Sequence, residues 1–158
     1  MLKRAITFCA VAIVFLAPLT RGDAQAPANP SLRKFDEFGN INCEDELARL
    51  DSLAIELRNN PNLQGYIIIY GGRRGRRNDA KARAARMQYY LVHSRGLRKT
   101  RILSLDGGYR ETLMGELWVS QSRASAPIPT PTVRAADVKL KGKVRVYGYN
   151  CGDAMGRL

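Results

Sequence analysis

The sequence predicts an α/β two-layer sandwich. A mixed sheet in the order β-α-β-α-β-β carries two helices on one face, and a C-terminal β ribbon follows. Three observations point there. Apolar residues recur at helical spacing in two separate stretches. A continuous β-branched and aromatic run, Gly65 to Tyr70, lies between them. A later segment alternates with period two.

The elements follow in order. Residues 27–34, rich in Pro, Ala and Asn, are expected to be a linker. Lys34 to Ile41 is expected to be a short first strand turning at Phe38-Gly39-Asn40. Asn42 is a good N-cap, and Glu44, Asp45 and Glu46 complement the dipole of the first turn. Leu47, Leu50, Leu53, Ala54 and Leu57 form the apolar stripe of the first helix, which Asn59-Asn60-Pro61 stops. Gly65 to Tyr70 suits a strand covered on both faces. Gly71 to Arg77 is expected to be a loop. The second helix runs from about Asp79 to Ser94, burying Ala80, Ala84, Met87 and Leu91. On an adjacent face Arg83, Arg86 and Tyr90 stand three and four residues apart. Ile102 to Leu105 is the next strand, with a turn at Asp106-Gly107-Gly108. Leu113, Gly115, Leu117 and Val119 alternate with Met114, Glu116 and Trp118 in the last strand. Residues 121–135 are expected to be a Pro/Thr-rich linker. Residues 136–158 then form a basic β tail, in which Val138, Leu140, Val144 and Val146 alternate with Lys139, Lys141, Lys143 and Arg145.

The N-terminus indicates where the chain goes. Lys3 and Arg4 precede an apolar run, Ala5 to Leu19, that is too short for a stable span, and Ala24-Gln25-Ala26 is a small-x-small cleavage site. Residues 1–26 are therefore expected to be a removed signal peptide. The mature protein would be periplasmic or secreted, with no transmembrane span. Cys43 and Cys151 then remain, an even pair in an oxidising compartment. An intramolecular Cys43–Cys151 disulfide is expected, with an intermolecular bridge or free thiols as the alternatives. His93 is the only histidine. With no CxxC motif or His cluster, neither a metal nor another cofactor is expected.

Charge narrows the partners. The chain carries a formal net charge of +12. The imbalance is local: residues 73–101 hold eleven basic side chains and one acid, whereas residues 36–56 hold seven acids. Such asymmetry favours polyanions. Gly71-Gly72-Arg73-Arg74-Gly75-Arg76-Arg77 is the densest case. Its glycines let a ligand approach the backbone, and Arg73, Arg74, Arg76 and Arg77 supply bidentate donors for phosphate or carboxylate. No Gly-Lys-Ser/Thr follows, so it is not a P-loop. The arginines with Tyr89 and Tyr90 could also hold single-stranded nucleic acid by charge and stacking. No order of nucleophile, base and acid suggests catalysis.

The helix Ala82-Arg83-Ala84-Ala85-Arg86-Met87-Gln88-Tyr89-Tyr90-Leu91, with Arg95-Gly96-Leu97 and Arg101-Ile102 after it, resembles the peptidoglycan-associating C-terminal domain of the OmpA-like family. The resemblance spans residues 35–120 and includes Leu50-Asp51, Asn60-Pro61 and the Ile-rich strand. It implies a non-catalytic cell-envelope binding protein whose partner is peptidoglycan or another anionic envelope polymer. It also implies that Arg83 holds a carboxylate of the wall peptide. Where the family's strand runs into Gly-His-Thr-Asp, this chain has Tyr70-Gly71-Gly72-Arg73, without the aspartate that grips an amino group.

Overall fold

The computed structural model describes residues 32–121 and 126–143. The expected signal peptide with Cys9, residues 27–31 of the expected linker, and residues 144–158 of the expected basic tail with Cys151 lie outside the described residues. The expected architecture is present: a four-stranded mixed sheet and two helices form a two-layer α/β sandwich. The strands are β1 (Leu32–Phe38), β2 (Leu63–Gly72), β4 (Ile102–Arg110) and β5 (Met114–Gln121), in the order β1-β5-β2-β4. β5 runs antiparallel to both its neighbours, and β2 runs parallel to β4 across the second helix. A separate two-stranded parallel sheet joins β3 (Arg74–Arg77) to β6 (Lys139–Lys143).

Helix α1 (Cys43–Asn59) starts where its cap requires. The Asn42 side chain accepts the Asp45 N–H at 2.8 Å. Helix α2 (Asp79–Tyr89) continues into one π-helical turn over Tyr90–Ser94, so the helical segment has the expected extent. Leu50, Leu53, Ala54 and Leu57 of α1 and Ala84 and Met87 of α2, with Leu91 beyond it, pack on Ile67, Ile69, Leu117 and Val119 of the sheet. The Arg101 guanidinium donates to the carbonyls of Leu57, Asn60 and Leu63 and closes the end of α1.

The other face of the sheet is also covered. Tyr66, Ile68 and Tyr70 are buried there, and so is Glu116. Glu116 accepts from the Tyr70 hydroxyl (3.2 Å), the Trp118 indole N–H (2.9 Å), Lys34 (3.0 Å) and Arg110 (2.9 Å). Burial pushes the Glu116 carboxyl up, but the hydrogen bonds from Trp118, Lys34 and Arg110 outweigh it and hold it below the usual glutamate range.

Five expectations are corrected. Leu32, Arg33 and Lys34 are not linker, because they pair with Ser120, Val119 and Trp118. The first strand ends at Phe38, not Ile41. Asp106 to Gly108 do not turn the chain. They make an irregularity inside β4, which continues to Arg110. Gly71 to Arg77 is not a loop, because Gly71 and Gly72 end β2 while Arg74–Arg77 pairs with β6. The described part of the Pro/Thr segment is not a free tether. The N–H groups of Thr132 and Val133 donate to the Tyr109 carbonyl, the Thr130 N–H donates to the Tyr70 hydroxyl, and Val133 is buried.

Candidate anion-binding ribbon and groove

The expected ligand residues separate into two groups. Arg83 and Tyr90 face α1. The Arg83 guanidinium, 5 % exposed, donates through Nε to Glu46 and through Nη1 to Asn40 Oδ1 at 3.3 Å. It lies 5.7 Å from the Phe38 ring centroid. Arg83 is therefore not open in this structure: a carboxylate from the first turn of α1 occupies its guanidinium. The Tyr90 hydroxyl donates to Asp51 Oδ1 at 2.8 Å, and Asp51 also accepts a bidentate pair from Nε and Nη2 of Arg95. The Arg95 hydrogen bond, with help from Tyr90, holds the Asp51 carboxyl low against its partial burial. Burial and the neighbouring Asp51 raise the Tyr90 hydroxyl. Tyr90 is thus a strut between helices and presents no ring for stacking. Arg86, half-buried, is on the same helix and does not border the groove described below.

The second group gathers at the β3–β6 ribbon. Arg73 turns away from it and forms a bidentate pair with Glu111 at 2.6 and 2.8 Å. That hydrogen bonding lowers the Glu111 carboxyl. The backbone carbonyl of Arg73 accepts the Lys139 N–H at 2.8 Å, which starts the parallel pairing. Register then sets Arg74 opposite Lys139 and Arg77 opposite Lys143. Arg74, Arg76, Arg77, Lys139, Lys141 and Lys143 are exposed and make no ion pair among the described residues. Like charges directly opposite on neighbouring strands destabilise a sheet. The sequence pointed to the arginines but not to their lysine partners, which lie more than 60 residues further along.

Beneath the ribbon lies a cavity of about 560 Å³, between β3, the first turns of α2 and the end of β4. Ile69, Ala84, Tyr109, Leu113 and Leu140 supply its apolar lining, and Arg74, Arg76 and Lys81 stand on its wall. Gly72 borders it, and a Cβ there would sit tight against backbone atoms of Arg74 and Leu113, at 3.1 and 3.2 Å. Asn78, at φ 65°, gives α2 no side-chain cap.

Cys43 is disulfide-bonded, while Cys151, the expected partner, lies outside the described residues. Among the described residues no group of three or more His, Cys, Asp or Glu is placed to hold a metal. None of the described helices is long and apolar enough to cross a membrane. No protein-family model matches the chain, and neither a curated protein nor a solved structure matches it.

Proposed function

We propose that this protein is a non-catalytic binding module of the cell envelope that holds an anionic polymer, peptidoglycan or another acid-bearing envelope polymer, on the β3–β6 ribbon. The observation that carries the reading is the register of that ribbon. It opposes Arg74 to Lys139 and Arg77 to Lys143 with no acid between them. A polyanion laid along the ribbon relieves that repulsion and gains bidentate contacts from the arginines. The secretory signal expected at residues 1–26 and the resemblance to the OmpA-like family support an envelope partner. Arg83 supports the fold under this reading, since its charge is spent on Glu46.

The test is retention of the mature protein on purified wall sacculi across a salt series. Replacing Arg74, Arg76, Arg77 and Lys139 by Gln is expected to abolish retention and to flatten its salt dependence. Retention of that variant at wild-type levels would sink the reading. Nucleic acid is a second reading, favoured by one feature: the exposed Tyr89 ring stacks on His93 at 4.0 Å between centroids. Under that reading single-stranded DNA displaces the protein from sacculi, and Tyr89→Ala weakens the displacement.

A further inference from the structure

We infer that the cavity beneath the ribbon is a separate site for a small anionic amphiphile: an apolar body of alkyl or aryl type carrying one phosphate or carboxylate. A polymer lying on exposed lysines and arginines needs no recess. The recess is nevertheless there, and its volume of about 560 Å³ falls within the range of about 300–1,000 Å³ common for small-molecule pockets. The larger part of its lining is apolar, from Ile69, Ala84, Leu113, Leu140 and Tyr109, and Asn78, Gln88 and Ser104 add uncharged polar groups. Gly71, Gly72 and Gly75 put no side chain into it.

The charge on the wall selects the head group. Arg74, Arg76 and Lys81 border the cavity and have no ion-pair partner among the described residues. Two carboxylates, Asp79 and Asp106, also border it. Asp106 is engaged by the Gly108 N–H at 2.9 Å, and Asp79 sits in the first turn of α2, where the helix dipole offsets its charge. The three cations therefore set the sign. An apolar body fits the lining while its anionic head reaches the guanidinium groups, which hold phosphate or carboxylate through paired N–H donors. This site shares Arg74 and Arg76 with the polymer reading but does not depend on it.

Amide chemical-shift titration of the mature protein tests the site with four probes: octyl phosphate, octanol, inorganic phosphate and octyltrimethylammonium. Octyl phosphate is expected to shift Gly71, Gly75 and Gly108 and to bind at least tenfold more tightly than each of the other three. Arg74→Gln with Arg76→Gln is expected to weaken it at least tenfold. Ala85 also lines the recess, and Ala85→Trp, which fills it, is expected to remove that binding while leaving retention on sacculi unchanged. Ser104→Trp gives the same readout from the β4 wall should Ala85→Trp fail to fold. Equal binding of the phosphate and the ammonium, or shifts confined to exposed Leu103 and Ile128, overturns the proposal. Octyl phosphate binding by wild-type protein that is not retained on sacculi counts against the polymer reading alone.

Discussion

Two buried carboxylates decide much of what single substitutions do. Glu46 is 2 % exposed and holds Arg83. Arg83→Met takes the guanidinium from that buried carboxylate and is expected to cost up to about 3–5 kcal/mol in urea unfolding. The double variant Arg83→Met, Glu46→Leu is expected to recover most of the loss, because an apolar pair of similar volume removes the need for charge compensation. A single variant as stable as the wild type would show that the pair holds nothing together. Glu116 gives a pH signature. Its folded-state pKa is depressed, so its contribution is fully present above its unfolded pKa and is lost as pH falls through the folded value. Stability is therefore expected to drop below about pH 4, and Glu116→Gln is expected to flatten that part of the curve. At this scale the sequence was legible where a residue answers to its own neighbours, as with the Asn42 cap. It was not legible for Arg83. Helical spacing gives its face, but only the packing of α1 on α2 brings Glu46 to it.

Among the elements, the ribbon sets stability against binding. Lys139→Glu with Lys143→Glu turns both repulsive cross-strand pairs into attractive ones. Melting temperature is expected to rise by about 1–4 °C while retention on the anionic polymer falls. A parallel fall in both would mean that the lysines anchor the ribbon through their aliphatic stems and that the charge reading is wrong. Element type was plain wherever periodicity was strong: α1, α2, β2 and β5 stand close to where the spacing put them. β3 was missed because Arg-Gly-Arg-Arg has no apolar alternation. Its strand state comes from pairing with a segment far along the chain. The Asp106-Gly107-Gly108 turn was misjudged for a related reason. Two glycines signal reversal locally, yet Gly107 lies against the backbone of Ile69, where a Cβ would come within 2.7 Å of the carbonyl oxygen, so the strand runs on.

For the molecule as a whole, the segment Ala126–Asp137 has more than a connecting role. It crosses the sheet face at Tyr70 and Arg110, meets Tyr109 at Val133, and delivers β6 to β3. Tyr70→Phe removes the hydroxyl that both Thr130 and Glu116 use. It is expected to cost about 1–3 kcal/mol and to raise hydrogen exchange at Thr130 and Thr132 together; a change confined to Glu116 would uncouple the segment from the sheet. Composition showed the charge asymmetry of the chain but not that this Pro/Thr stretch is packed, since its hydrogen bonds are made to residues of β2 and β4. The parallel pairing of β3 with β6 also has a consequence for the protein's working life. A protease cut after Gln121 leaves the residues of all four main strands and both helices on one piece and the lysine half of the cationic surface on the other, so the expected Cys43–Cys151 disulfide decides whether the two stay together. Under the proposed polymer reading, a clipped molecule is expected to keep its retention until the disulfide is reduced and to lose it afterwards.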